Sequence, residues 1–193
     1  MSSQVGHPEL PDGAERVLRF WFLELTPGDW FGGSDSLDRI VTERFGDTLA
    51  AAEAGRLDNW AQTPRGLLAL VIVLDQFSRH VHRSTSRAYA QDPVAQALVQ
   101  RAIDRGDTEQ LGLDERQFLY MPLMHAEDRK LQALGVEKFE SLVTSAEKIV
   151  GFARAHRDIV DRFGRFPYRN DVLERESTNE EREFIDREGN PFD

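Results

Sequence analysis

Three polar candidate residues lie within five positions after the longest apolar run of the chain, LLALVIVL at 67–74. They are Asp75, Gln76 and Arg79, and the acid and the arginine stand four residues apart, which puts both side chains on one face of a helix. Such a pair can orient the helix end, which is the commoner use of buried polar groups, or it can face a ligand. Both interpretations stay open, and the second makes all three residues candidates for ligand binding.

A second change from apolar to polar residues occurs in FLYMPLMHAED at 118–128. Pro122 has no backbone N–H and obstructs the carbonyl four residues earlier, so a helix is predicted either to kink there or to begin anew. His125 and Glu127 follow this break. A histidine at a kinked helix end can line a pocket and transfer protons, although a single structural hydrogen bond is its commoner role. His125 and Glu127 therefore join the candidate ligand-binding residues.

A third polar group lies in RFGRFPYRN at 162–170. A helix is predicted to end at the glycine of this string, and the proline stiffens the loop that follows. Arg165, Arg169 and Asn170 are the candidate binding residues of this loop. The forked donors of arginine match a carboxylate or a phosphate, but the same arginines serve equally well to bind helix carbonyls or the acidic C-terminal tail.

Other kinds of site lack their signatures. The chain has no cysteine, which excludes disulfides and thiolate nucleophiles. His80 and His82 are two residues apart and so lie on different faces of a helix, and no histidine–carboxylate set has the spacing of a zinc or di-iron helix motif. We find no phosphate-binding glycine loop, dinucleotide fingerprint or nucleophile-elbow serine. The sequence therefore predicts neither a metal nor a cofactor.

The composition limits the partners. The chain carries 24 basic and 34 acidic residues, and a net charge of −10 disfavours binding to nucleic acid or to anionic lipid. The run at 67–74 is far shorter than a membrane span of about 20 residues, and the N-terminus has neither the basic start nor the apolar core of a signal peptide. We expect a cytoplasmic protein without nucleic-acid or membrane partners, and a protein partner stays possible.

Helix signals recur along the chain and predict the elements that position the three polar groups. Thr63 followed by proline predicts the start of a helix through LLALVIVL, and this helix should be central because it is apolar on all sides. Capping boxes begin at Thr144 and Thr178, and the first is predicted to open a long helix. No hairpin signal supplies a partner strand. The sequence predicts an all-α fold in one compact domain, 1–193, with a flexible N-terminal segment at 1–11.

Several strings resemble those of one known family. LALVIVLDQFSRHVHR, FLYMPLMHAED, RFGRFPYRN and STNEE closely resemble strings of the bacterial Domain of Unknown Function 924 family, and the resemblance runs over nearly the whole chain. It implies a tetratricopeptide-like array of antiparallel helix pairs. It implies no activity and transfers no catalytic residue, because the family is named for lacking one. At position 168 this chain has tyrosine where the family string has histidine. Tyrosine side chains titrate at about pH 10, so a tyrosine is poorly suited to act as an acid or base there.

The candidate residues support several functions if the three polar groups meet on one side of the bundle. The first is a pocket for a small anionic metabolite, with Arg79, Arg165 and Arg169 contacting the anion and the other polar side chains orienting it. The second is an enzyme, a hydrolase or isomerase, with His125 or Glu127 as general base. The third is a helical scaffold whose groove binds a protein segment. A fourth possibility is that the clusters only stabilise the fold.

Overall fold

The computed structural model describes residues 10–32 and 34–189, and the regular structure within these ranges is helical. The α-helices are α1 (Asp12–Arg19), α2 (Pro27–Gly32), α3 (Asp35–Glu53), α4 (Pro64–Ile72), α5 (Ser78–Val81), α6 (Asp92–Arg105), α7 (Leu113–Met124), α8 (Arg129–Phe163) and α9 (Asn179–Glu188). The predicted all-α class is confirmed, and the tetratricopeptide-like pairing stays a prediction. The predicted flexible segment lies outside the described residues, apart from its last two. None of the described helices has both the length and the hydropathy needed to cross a membrane.

The helices belong to two compact units, whose boundary falls inside α8 between Leu142 and Val143. The N-terminal unit contains α1 to α7 and the start of α8, and the C-terminal unit contains the rest of α8 and α9. A single domain over 1–193 stays a prediction, and the two units are described separately below.

Helix α4 forms the centre of the N-terminal unit. It begins where the hydroxyl of Thr63 accepts the backbone N–H of Gly66, with proline at the first helical position. Every residue from Gly66 to Ile72 is buried, and so is the π-helical segment Val73–Phe77 that follows. Helices α1, α6 and α7 pack around α4. The sequence-based prediction of a central apolar helix is therefore confirmed.

A cluster of aromatic rings packs α7 against the π-helical segment Phe20–Glu24, which follows α1, and against α2. The ring of Phe118 on α7 lies 5.3 Å from Trp21, 5.7 Å from Phe22 and 4.8 Å from Trp30, each in an edge-to-face arrangement. The indole N–H of Trp30 donates to the carbonyl of Trp21 at 2.9 Å. These contacts hold α7 in place, and His125, a candidate functional residue described below, lies at the C-terminal end of α7.

Helix α7 continues through Pro122 to its last residue, so no new helix begins at the proline. Helix α8 starts instead where a carboxylate oxygen of Asp128 accepts the N–H groups of Lys130 and Leu131 at 2.8 and 2.9 Å. It then runs without a break to Phe163, and the helix start predicted at Thr144 is wrong. A threonine followed three residues later by glutamate also occurs inside helices, where the preceding carbonyls already accept the backbone N–H groups.

The C-terminal unit has a small core of its own. Helix α8 ends before Gly164, which adopts the left-handed conformation with φ +69°, as predicted for a helix-ending glycine. Helix α9 begins at the predicted capping box, in which the hydroxyl of Thr178 accepts the N–H of Glu181 and the carboxylate of Glu181 accepts the N–H of Thr178. The rings of Phe163 and Phe184 pack at 5.1 Å between the two helices.

Candidate functional site

The candidate site begins with the carboxylate of Asp75, which is buried to 1% exposure at the end of the central helix. Asp75 lies in the π-helical segment Val73–Phe77, and such segments occur often at functional sites because they disturb the regular backbone hydrogen bonds. The backbone carbonyl of Asp75 accepts a bond from Arg79 Nη1 at 3.1 Å. A buried polar residue is therefore placed where the helix geometry departs from the ideal.

Three side chains surround the Asp75 carboxylate. The amide of Gln76 donates to Oδ2, His125 Nδ1 lies 2.8 Å from Oδ1, and Arg79 Nη1 lies 3.4 Å from the same Oδ1. A buried carboxylate is costly unless it is paired and hydrogen-bonded, and these partners supply both needs. The network also places Asp75 and Arg79 on one helix face, as their spacing indicates.

His125 bridges this buried carboxylate and the protein surface. It caps the C-terminus of α7, and its side chain is 24% exposed. Because an ionised carboxylate can only accept a hydrogen bond, Nδ1 carries the proton and Nε2 of the neutral ring is an acceptor. Within residues 10–32 and 34–189, Nε2 forms no hydrogen bond, so its lone pair is open to a guest.

A cavity of about 740 Å³ opens beside His125 in the N-terminal unit. Arg79 and Glu127, two further residues predicted from the sequence, also line it. The remaining lining residues are Ser86, Tyr89, Asp92, Pro93, Gln96 and Asp128. The volume is sufficient for a small-molecule ligand.

Arg79 is held in place by a second carboxylate at the cavity wall. Its Nη1 and Nη2 donate to the two oxygens of Asp92 at 2.9 and 3.1 Å, and its guanidinium lies 5.4 Å from the centre of the Tyr89 ring. Burial works to lower the pKa of Arg79, but the bonds and charges of Asp92 and Asp75 outweigh burial and raise the pKa. Arg79 is thus a permanent cation fixed between two carboxylates.

The two other predicted residues of this unit differ in their surroundings. Gln76 is buried to 7% exposure and is bound to Asp75. Glu127 is exposed at the cavity and forms no ion pair or hydrogen bond within the described part of the chain. Gln76 therefore positions the network, and the Glu127 carboxylate is available to a guest.

The predicted residues of the C-terminal unit form a separate network centred on Glu181. Arg165 donates from Nε and Nη2 to the two carboxylate oxygens of Glu181 at 2.7 and 2.8 Å, and Nη2 also reaches the carbonyl of Glu176. The Arg165 guanidinium and then the backbone N–H of Thr178 lower the pKa of Glu181 to about 2. Asn170, which is completely buried, donates to Ser177 and more distantly to Glu181.

Arg169 takes part in aromatic contacts in the same loop. Its guanidinium lies 4.5 Å from the centre of the Phe166 ring and 5.8 Å from that of Tyr168. The predicted residues are thus grouped in two sets: Asp75, Gln76, Arg79, His125 and Glu127 in the N-terminal unit, and Arg165, Arg169 and Asn170 in the C-terminal unit. One opening shared by both sets stays a prediction.

The sequence interpretation missed Asp92 and Tyr89. Asp92 stands before a proline, a pattern typical of a helix cap, but α6 has no side-chain cap and the Asp92 carboxylate accepts from Arg79 instead. Asp92 lies thirteen residues after Arg79, a spacing that no helical repeat would indicate. The sequence offered only one weak sign of the contact, namely an acid that lacked a nearby partner of opposite charge. Tyr89 had no signal at all.

The two histidines that follow Arg79 pair with carboxylates of α3. His80 Nδ1 lies 2.7 Å from Asp38, which also binds Arg83, and His82 Nε2 lies 3.2 Å from Glu53. The guanidinium of Arg83 holds the pKa of Asp38 below its usual value. These pairs attach the end of the central helical segment to α3. In the ranges that the structure describes, no three metal-ligating side chains come together.

The comparisons with known proteins agree on the family. The model of the family described as "Bacterial protein of unknown function (DUF924)" matches residues 17–189. A solved structure of a protein of unknown function from Agrobacterium tumefaciens is similar, with 38% sequence identity, a TM-score of 0.64, and coverage of 89% of this chain and 96% of that chain. No curated protein matches. Because the family model spans most of the chain, the resemblance found in the sequence is confirmed and this protein belongs to the DUF924 family.

Proposed function

We propose that the N-terminal unit is a small-molecule hydrolase in which His125 acts as general base. The observation that carries the proposal is the position of His125, whose Nδ1 lies 2.8 Å from the buried Asp75 carboxylate while the same ring lines a cavity of about 740 Å³. A ring nitrogen without a hydrogen bond in the described part of the chain is what a base needs in order to take a proton from a bound molecule.

The partners of His125 suit this role. The buried carboxylate fixes the tautomer that leaves Nε2 as acceptor, and it stabilises the imidazolium that forms when Nε2 takes a proton. Gln76 and Arg79 in turn hold the carboxylate of Asp75 in one orientation. These contacts hold the imidazole in one orientation, and a base that is already oriented towards the bound molecule lowers the entropic part of the reaction barrier.

Water is the nucleophile that fits best. Ser86 lines the same cavity, but no hydrogen bond joins it to His125, as an activated serine would require. The imidazole is about one quarter exposed, so water can reach it. In the proposed step a water oxygen attacks an acyl carbon, Nε2 accepts the water proton, and the same proton then passes to the leaving group as the acyl bond breaks. An isomerase would use the same base on a carbon-bound proton, a reaction that benefits from excluding water.

Binding of a small anion is the second candidate, and it rests on Arg79 at the cavity wall. Both Nη atoms of Arg79 already donate to Asp92, and Arg165 in the other unit is occupied in the same way by Glu181. The guanidinium groups therefore have few donors left for an anion. We place catalysis first for this reason, and the cytoplasmic location stays a prediction from composition.

The proposal is tested by turnover of a panel of chromogenic esters and amides. We expect hydrolysis above the background rate in the unaltered protein and a loss of kcat/KM of about 10²–10⁴-fold in His125→Ala, the contribution of a positioned base. The matched control is His156→Ala on α8, which removes a histidine that does not line the cavity and should leave turnover unchanged. Circular dichroism checks that both variants fold. Equal turnover by His125→Ala and the unaltered protein, or no turnover of the entire panel, would contradict the proposal.

A further inference from the structure

We infer that the substrate carries a cationic group, such as an ammonium or quaternary ammonium, beside the bond that is hydrolysed. The inference rests on the proposed function of the cavity and adds the chemical class of its guest. This is the opposite sign to the anionic ligand predicted from the sequence. It follows from the charges that surround His125 and from one aromatic ring.

The first set of charges has a negative sum. Arg79 is the cation at the cavity wall, and it lies between two carboxylates, Asp75 at 3.4 Å and Asp92 at 2.9 Å. One positive and two negative charges leave one negative charge in this group. The guanidinium is therefore already neutralised before a ligand arrives, whereas the excess negative charge remains.

Glu127 and Asp128 add further negative charge to the lining of the cavity. Glu127 is exposed and forms no ion pair within the described residues. One oxygen of Asp128 is used by the first turn of α8, whose positive end offsets part of its charge. The next two residues, Arg129 and Lys130, are exposed and do not line the cavity. Glu127 is thus the carboxylate best placed to receive a cation.

Tyr89 supplies a second kind of contact for a cation. Its side chain lines the cavity and is 60% exposed, which is high for an aromatic residue. The guanidinium of Arg79 lies 5.4 Å from the ring centre, so the ring already accepts one cation. Aromatic faces recognise quaternary ammonium ligands in proteins, and here the exposed carboxylate of Glu127 lines the same cavity as the ring.

The cavity should also repel anions. Field lines from charges of one sign are concentrated in a concave site, so a carboxylate or phosphate near His125 would meet the excess negative charge of the group formed by Asp75, Arg79 and Asp92, and also the charge of Glu127. A cationic group would be attracted by the same charges. The sign of the guest, and not only its size, would then decide which small molecules enter.

Binding of three unreactive probes tests the inference independently of turnover. The probes are benzyl ethers of alcohols of equal length that end in a trimethylammonium, a tert-butyl or a carboxylate group, so they contain no acyl bond beside the benzyl group, and titration calorimetry measures Kd. We expect the cationic ether to bind about tenfold more tightly than the neutral one, since a cation gains contacts with Glu127 and Tyr89, and the anionic ether to bind most weakly.

Two variants locate the preference. In Glu127→Gln the ratio of the two Kd values should fall towards one, whereas Glu43→Gln removes the same charge from α3, outside the cavity, and should keep the ratio. Equal Kd values for the three probes, tightest binding of the anion, or no binding of any probe at millimolar concentration would overturn the inference. A cationic preference without any turnover that depends on His125 would instead overturn the proposed function and leave the recognition of cations standing.

Discussion

Asp75 illustrates how far single residues of this site could be predicted. The abrupt change after a fully apolar run marked Asp75, Gln76 and Arg79 as unusual, and the spacing of four placed the acid and the arginine on one face, where they lie 3.4 Å apart. Its contact with His125, fifty residues later, depends on how α4 and α7 pack and has no local pattern. Short-range partners could be inferred from spacing, and the long-range partner could not.

The Asp75→Asn variant should be strongly destabilised. The new amide would have nearly the same shape as the carboxylate but would lack the charge that faces Arg79, and it would present a donor where His125 also donates. Removing one partner of a buried pair costs about 3–5 kcal/mol in the free energy of unfolding, which urea denaturation followed by circular dichroism would measure. The matched variant is Asp92→Asn, which also loses a charge facing Arg79 but at a side chain that is 15% exposed, so its loss should be smaller. Equal losses in the two variants would contradict this account.

The Glu181 carboxyl should make stability depend on pH in the acid range. Its pKa is lowered to about 2 in the folded protein by Arg165 and the N–H of Thr178, against about 4.3 in an unfolded chain. A lowered folded pKa adds stability that is complete above the unfolded value and is lost as pH falls towards the folded value. The unaltered protein should therefore be more stable than Glu181→Gln above pH about 4.3, and this difference in stability should shrink as pH falls to about 2.

Hydrogen exchange of the α9 amides at several pH values measures this difference where the network lies. Glu183→Gln, on the same helix but outside the network, should show no comparable dependence. A constant difference between Glu181→Gln and the unaltered protein across this range would show that the carboxyl gains nothing from its partners.

Helix starts could be predicted where a capping side chain binds a backbone N–H three residues later. They were ambiguous where the same sequence pattern also occurs inside helices. Thr63 and Thr178 cap their helices as the patterns predict, because the hydroxyl and the N–H it accepts are three residues apart. Thr144 has the same pattern but lies within α8, since Asp128 had already started that helix. The π-helical geometry of Val73–Phe77 could not be predicted, because no residue type specifies it.

The first turn of α4 should tolerate only glycine at position 66. A methyl group on Gly66 would collide with the backbone oxygen of Trp60 and would lie 2.8 Å from Thr63 Oγ1, the atom that caps the helix. Neither atom can move without disturbing the cap, so we expect Gly66→Ala to lower the free energy of unfolding by about 1–3 kcal/mol or more.

Gly46 on α3 provides the comparison. A methyl group there meets nothing within 4 Å, so Gly46→Ala should stabilise the protein by about 0.5–1 kcal/mol through the better helix propensity of alanine. Urea denaturation of the two variants gives opposite signs if the packing around Gly66 is as described. A Gly66→Ala variant as stable as the unaltered protein would show that the turn can relax.

For the chain as a whole, the recurring helix signals predicted the class of fold but not its division into units. The boundary lies inside a continuous helix and carries no proline, glycine cluster or change of composition that a sequence could reveal. The main hydrophobic core draws its buried residues from positions 14 to 123, all in the N-terminal unit. The net charge of −10 is likewise a property of the entire sequence, and it does not show which charged side chains line a particular cavity.

A chain that ends at Leu142 should therefore fold by itself. It keeps the whole buried core and the partly buried residues that pack on it, of which Leu142 is the last. We expect one cooperative transition in scanning calorimetry. A chain that begins at Val143 has, among its described residues, only two buried apolar side chains apart from proline, Ile159 and Phe184, and should show no such transition. A truncated N-terminal chain without a cooperative transition would show that its core is not self-sufficient.

The placement of the tryptophans has a practical consequence for anyone who unfolds this protein. The sequence contains three, Trp21, Trp30 and Trp60, and all of them lie in the N-terminal unit. Indole emission is therefore blind to the C-terminal unit, whereas a backbone signal such as ellipticity sums over both. Denaturation curves from the two optical signals will superimpose if both units melt together and will separate if they melt one after the other, with no label attached.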